Sequence, residues 1–258
     1  MSTLAGVLGF PVGHSRSPEM MNAAFHELGL DWRYLRLPLP PERFDEAVMA
    51  LPGSGYRGAN VTIPHKLAAH DLSDELSDAA RAIGAVNTLT FADDGRITGD
   101  NTDAGGLLDA VGEPVPGTAL VLGAGGAARA AAWALAQAGA DVTVWSRAPE
   151  SAAELAADLG VGHSERPGPS ELLVNATSVG LRSGDSLEGL PLVDAHVVVD
   201  LVYGTGPTPV VSWAEERGAR VVDGLEVLVR QGARSFALWT GEEPPVDAMR
   251  KAVLQPPV

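Results

Sequence analysis

Residues 118–139 carry a pattern that few folds accommodate. A short apolar run, Thr118-Ala119-Leu120-Val121-Leu122, breaks directly into Gly123-Ala124-Gly125-Gly126-Ala127-Ala128, and an alanine-rich stretch continues to Gly139. This is the G-x-G-x-x-[G/A] spacing between a strand and a helix. Gly123 permits a tight turn, Gly125 lets backbone approach a pyrophosphate, and the small Ala128 lets helix and strand pack closely. A second strand signal follows over residues 141–146. Strand, helix and strand within ~30 residues imply a parallel pair joined by a right-handed crossover.

The start of such a helix offers unpaired N–H groups and a partial positive charge. Gly123, Ala124, Gly125, Gly126 and Ala127 are therefore the expected contacts to a dinucleotide. The second strand ends Trp145-Ser146-Arg147, where an NAD-selective site usually carries Asp or Glu for the ribose 2′-hydroxyl. Arg147, with Ser146 beside it, suits a 2′-phosphate instead, which favours NADP as cofactor.

Composition narrows the partners. The net charge of −15 argues against nucleic acid, which needs basic surface. There is no cysteine, so disulfides, thiolate metal sites and cysteine nucleophiles are excluded. The histidines show no metal-ligand spacing, and no metal is expected. No apolar run approaches the ~20 residues needed to span a bilayer, and the N-terminus does not resemble a signal peptide. A cytoplasmic protein without membrane or nucleic-acid partners is expected; the sequence leaves open whether it is a monomer or a homodimer. With 258 residues, two domains fit.

The remaining pattern is α/β. Strands are expected over residues 4–9, 32–37, 59–63, 172–175, 197–201 and 220–222, and a hairpin over 86–99 around Asp94-Gly95. Helices are expected from Ser17, as cap before Pro18, to Gly29, then around 44–51, over 103–111, 127–138, 225–240 and 246–254. The fold class is an N-terminal α/β substrate domain (1–103), a Rossmann-type domain (104–224), and C-terminal helices (225–258) packing back on the first. A site in a cleft between the two domains is expected.

Polar clusters fall where the N-terminal strands end. They are His14-Ser15-Arg16-Ser17-Pro18, Gly58-Ala59-Asn60-Val61-Thr62-Ile63-Pro64-His65-Lys66, Gly84-Ala85-Val86-Asn87-Thr88-Leu89 and Asp100-Asn101-Thr102-Asp103. Each alone is compatible with a capped turn. In this order, ahead of the Gly123 turn, they resemble the motifs of shikimate dehydrogenases. Asn175-Ala176-Thr177-Ser178-Val179-Gly180, Asp200-Leu201-Val202-Tyr203 and Gln231-Gly232-Ala233 extend the resemblance over nearly the whole chain.

That resemblance implies NADP-dependent, reversible reduction of 3-dehydroshikimate to shikimate, in aromatic amino-acid biosynthesis. It implies Lys66 and Asp103 as the catalytic pair, and Ser15 and Ser17 on the substrate carboxylate. Asn60, Thr62, Asn87 and Gln231 fall on ring hydroxyls or carboxylate, and Tyr203 on the pocket wall. Asp78, Val202 and Gly224 fall near the cofactor. The chemistry is consistent: hydride reaching a ketone carbon leaves charge on oxygen, and an ammonium supplies both a cation and a proton. The chain departs from the family at Glu226-Val227, Ser146-Arg147-Ala148, Ser151 and Gly204-Thr205. A paralogue acting on quinate or an aminated analogue, with NAD, is the nearest alternative, and a non-catalytic NADP-binding regulator is a second.

Overall fold

The computed structural model describes residues 2–182, 184–204 and 206–255; Thr205 of the departing loop lies outside them. The chain begins with β1 (Thr3–Gly9), α1 (Ser17–Glu27), β2 (Trp32–Pro38), α2 (Phe44–Ala50) and β3 (Tyr56–Val61). There follow α3 (Lys66–Leu72), β4 (Glu75–Leu76), α4 (Asp78–Ile83), β5 (Thr88–Phe91), β6 (Ile97–Asp100) and α5 (Thr102–Val111). Next come β7 (Thr118–Leu122), α6 (Gly126–Gln137), β8 (Asp141–Trp145), α7 (Pro149–Leu159) and β9 (Gly162–His163). The last elements are β10 (Leu172–Asn175), β11 (Val197–Asp200), α8 (Pro209–Glu215), β12 (Arg220–Val222), α9 (Gly224–Thr240) and α10 (Val246–Leu254). Among the described residues, no helix is long and apolar enough to cross a membrane.

The chain divides into two compact units: residues 1–106 with 228–258, and residues 107–227. The divisions fall within α5 and α9. In the first unit the sheet runs β2-β1-β3-β5-β6-β4. Its β1 pairs in parallel with β2 and β3, while β5 lies antiparallel to β3 and β6. On one face Phe44, Val48, Val61, Ala69, Leu89 and Ile97 form a core. Elsewhere in the unit Phe25 of α1 packs on Phe236 of α9, with ring centroids 5.4 Å apart.

The second unit holds a six-stranded, wholly parallel sheet, β12-β11-β10-β7-β8-β9. Both faces are covered, which explains why its strands are nearly continuous apolar runs. Val121, Val144, Val174 and Val199 pack toward Ala131 and Leu135 of α6 and Leu155 of α7. Leu120, Leu122, Leu173 and Val198 face Val210 and Ala214 of α8 instead. The strand order reverses between β7 and β10, and ligands of such sheets bind outside the strand C-termini at that point.

Several expectations need correction. Ser17 does not cap α1: Arg16 occupies the cap position, Ser17 is already helical, and the Ser17 N–H donates to Ser15 Oγ at 3.3 Å. The elements α3, β4, α4 and α8 were not expected, because each is too short to show a hydrophobic period. The first sheet strand of the hairpin begins at Thr88 rather than residue 86, because Asn87 turns its side chain into a polar network described below.

Helices α5 and α9 approach closely within the first unit. A Cβ on Gly106 would lie 2.6 Å from the backbone nitrogen of Gln231 and 2.7 Å from its Cα. Backbone cannot yield as a flexible side chain does, so Gly106→Ala must displace that turn of α9. Overpacking of this kind costs about 1–3 kcal/mol. Urea unfolding should show that loss.

Candidate functional site

The first unit gathers five of the expected residues into one hydrogen-bonded cluster. Lys66 is the first residue of α3, and its carbonyl receives the Val86 N–H at 2.9 Å. This links the two motifs that carry Lys66 and Asn87. Asp103 lies in the first turn of α5. The helix is capped by Asn101, the residue before its first, whose Oδ1 accepts the Ala104 N–H at 3.3 Å. Asp103 is therefore not spent as a cap, and its Oδ2 accepts directly from Lys66 Nζ. The two side chains retain 13% and 21% of their exposure, so the pair is largely sheltered yet reachable by a ligand.

Asn87, 2% exposed, fixes the other carboxylate oxygen: its Nδ2 donates to Asp103 Oδ1 at 2.8 Å. The amide cannot be reversed, because its Oδ1 accepts the Thr102 backbone N–H at 2.7 Å. Gln231 Oε1 receives Asn87 Nδ2 at 3.3 Å, and Gln231 Nε2 donates to Leu228 O at 3.0 Å. Asn60 Oδ1 accepts from the Tyr34 hydroxyl at 2.7 Å, and its Nδ2 donates to Ser235 Oγ at 2.8 Å. Beneath these amides lie three buried hydroxyls, Thr88, Thr102 and Ser235, with oxygens 2.9–3.1 Å apart. Each of these buried amides and hydroxyls thus has a partner, as burial requires.

Ser15, Ser17 and Thr62 are held separately. Arg36 Nη2 donates to the Ser15 carbonyl at 2.7 Å and pairs with Glu19. Arg16 Nη2 donates to Val253 O at 3.2 Å, tying the serine loop to α10. The Thr62 N–H donates to Leu8 O at 2.8 Å. Asp78 is exposed at the start of α4.

Thr88, Thr102, Ser235, Tyr34, Arg36 and Arg16 had no role in the sequence expectations. Thr88 and Thr102 sit inside the motifs. Ser235 was visible only as a serine one helical turn after Gln231.

The second unit carries the remaining expected residues. Gly123 has φ +122°, and a Cβ there would lie 2.8 Å from Ala176 O. Gly125 caps α6 without a side-chain hydrogen bond, and nothing lies within 4 Å of a Cβ built on it. The space beside Gly125 is open, and no side chain takes up the N–H groups of the first turn of α6 as a cap. Ser146 and Arg147 follow β8; Arg147 is exposed and forms no ion pair among the described residues, whereas Arg129 pairs with Asp158 at 3.0 Å. Tyr203 is half-buried, Val202 is buried, and Glu226 donates its N–H to Asp223 Oδ1 at 2.9 Å. A Cβ on Gly224 would meet Val202 O at 2.7 Å. Among the described residues no group of three or more His, Asp or Glu could hold a metal.

Asp200, at the end of β11, is fully buried. Burial pushes its carboxyl up to about 6, against the pull of hydrogen bonds from Thr208, Val202 and Asn175. A carboxyl raised in the folded state penalises folding most where it is ionised. The penalty is complete above pH 6 and vanishes as pH falls below the unfolded value of 3.8. At 1.36 kcal/mol per unit it amounts to about 3 kcal/mol. Relative to Asp200→Asn, the wild type should gain stability by that order between pH 7 and pH 4, read from urea midpoints across that range. A constant difference would refute it.

Comparison with known proteins adds an independent line. Residues 7–89 match the model of the shikimate dehydrogenase substrate binding domain, and residues 224–254 that of the shikimate 5′-dehydrogenase C-terminal domain. A shikimate dehydrogenase (NADP(+)) of Anaeromyxobacter dehalogenans (strain 2CP-1) is 46% identical, over 98% of this chain and 96% of the relative. One from Methanothermobacter thermautotrophicus is 43% identical over 97% and 95%. The crystal structure of shikimate 5-dehydrogenase from Thermus thermophilus, in complex with NADP(H) and shikimate, matches with a TM-score of 0.89 at 41% identity, covering 98% of each chain.

Proposed function

The chain belongs to the shikimate dehydrogenase family, and from that premise we propose that it is an NADP-dependent oxidoreductase interconverting 3-dehydroshikimate and shikimate. The observation that carries the reading is the Lys66–Asp103 pair, sheltered and oriented by Asn87.

NADPH, when bound, supplies hydride to the ketone carbon. As charge develops on the ketone oxygen, the Lys66 ammonium stabilises it and donates a proton, which leaves the product hydroxyl. Asp103 accepts a hydrogen bond from the ammonium and so aims it. In the oxidative direction the neutral amine of Lys66 takes up the hydroxyl proton.

Ser15 and Ser17 bind the substrate carboxylate. Asn60, Thr62, Asn87 and Gln231 bind the ring hydroxyls or carboxylate, and Tyr203 lines the pocket. A ring hydroxyl left unpaired in such a site costs affinity, so analogues lacking one should be rejected. On the cofactor side, Gly123, Ala124, Gly125, Gly126 and Ala127 hold the pyrophosphate. Ser146 and Arg147 hold the 2′-phosphate, with Asp78, Val202 and Gly224 alongside.

The test is shikimate-dependent reduction of NADP⁺ followed by absorbance, with quinate and NAD⁺ in parallel. Turnover with shikimate and NADP⁺ well above every other combination is expected. Preference for quinate, or tight NADPH binding with no turnover on any substrate, would overturn the reading.

A further inference from the structure

Asp200 lies outside the chemistry above, yet it is a buried carboxylate with no cation among its hydrogen-bond partners. Such a group is costly unless its hydrogen bonds do something else. Its Oδ1 accepts from Asn175 Nδ2 at 2.8 Å and from the Val202 N–H at 3.0 Å, and its Oδ2 accepts from the Thr208 hydroxyl. The three donors belong to three different segments. Asn175 organises the turn after β10: its Oδ1 accepts the Thr177 N–H and hydroxyl at 3.1 and 2.7 Å, and its Nδ2 donates to Val179 O at 3.2 Å. Val202 opens the loop after β11. Thr208 caps α8, its Oγ accepting the Val211 N–H at 3.1 Å.

The turn after β10 borders the dinucleotide turn; Thr208 lies against Gly180 of that same turn, where a Cβ would approach its Cβ at 3.1 Å, and the loop after β11 lies against Gly224. The turn after β10 lies against Gly123, whose Cβ would approach Ala176 O. Gly224, the start of α9, closes on the carbonyls of Val202 and Asp200 at 2.7 and 3.0 Å by the same measure. β7 and β10 flank the reversal in strand order, where the ligand crevice of such a sheet opens.

We infer that Asp200 is a positioning residue for the dinucleotide, tying the turn after β10, the loop after β11 and the start of α8 into one fixed edge of the cofactor site. The inference rests on the NADP reading above, and the experiment separates the two. Thr208→Val removes one tie and the cap while keeping shape; Thr208→Ser keeps both. Asp200→Ala removes all three ties and is measured if it folds.

Thr208→Val should raise the KM for NADP⁺ and the dissociation constant of NADPH about tenfold. The KM for shikimate should change by less than about twofold, and Thr208→Ser should restore wild-type values. A Thr208→Val enzyme with unaltered NADP⁺ and NADPH constants, or one whose shikimate KM rises equally, would overturn the inference. If the wild type fails to oxidise shikimate with NADP⁺, the proposed function fails instead, and the NADPH titration still decides the role of Asp200.

Discussion

Lys66→Ala is expected to lower turnover by about 10²–10⁴-fold, the range supplied by one positioned acid or base, with the fold intact. Two features of the site set this expectation. Lys66 is the one ammonium of the cluster: Asn60, Asn87 and Gln231 carry amides, and Asp103 accepts from Lys66 and Asn87. The loss in stability should lie between the about 1 kcal/mol of an exposed pair and the about 3–5 kcal/mol of a fully buried one, because Asp103 keeps its hydrogen bond from Asn87 and part of its exposure to water. Lys66→Arg sharpens the test. A guanidinium keeps the charge but does not release a proton near neutrality. If Lys66 acts mainly as a cation, the arginine variant recovers much of the rate; if it transfers the proton, the variant stays slow. Steady-state kcat for shikimate oxidation, with denaturant midpoints for all three proteins, decides the outcome. An alanine variant of near-normal turnover would remove Lys66 from the reaction.

Gly123→Ala is the second large effect. The backbone there has φ +122°, a region that only glycine enters without strain, and holding another residue in it costs about 1–3 kcal/mol. The new Cβ would also meet Ala176 O at 2.8 Å, a backbone atom in a turn pinned by Asn175. The strain must be relieved by shifting either the Gly123 turn or the turn after β10, and both border the proposed cofactor site. Thermal unfolding should fall, and NADPH affinity should fall more than shikimate affinity. Unchanged NADPH titration in a stable variant would contradict the placement of the pyrophosphate.

The second unit was legible from sequence because its signals are long and redundant. The apolar strands at Thr118–Leu122 and Asp141–Trp145, the glycine turn and the alanine-rich helix all point to one parallel arrangement. The segment between Pro64 and Val86 was not legible. It folds into α3, β4 and α4, of seven, two and six residues, and elements so short span too few turns to show a period. Lys66 and Asp103 stood out because they lie inside recognisable motifs. Ser235 did not, since its importance comes from contacts with Asn60, Thr88 and Thr102, more than a hundred residues away. Asp200 is similar: the sequence displays an aspartate after three valines, but only the structure reveals that three separate segments converge on it.

The first unit is discontinuous, and this bears on how the protein is made. Its buried amides and hydroxyls depend on Gln231 and Ser235 of α9. A nascent chain that has emerged only to residue 227 holds every part of the inserted unit, but leaves Asn60 and Thr88 without those partners. Domains fold as units during synthesis, once their residues have emerged. Here the inserted unit can finish on the ribosome while the N-terminal one waits for residues 228–258, so the unit begun first is completed last.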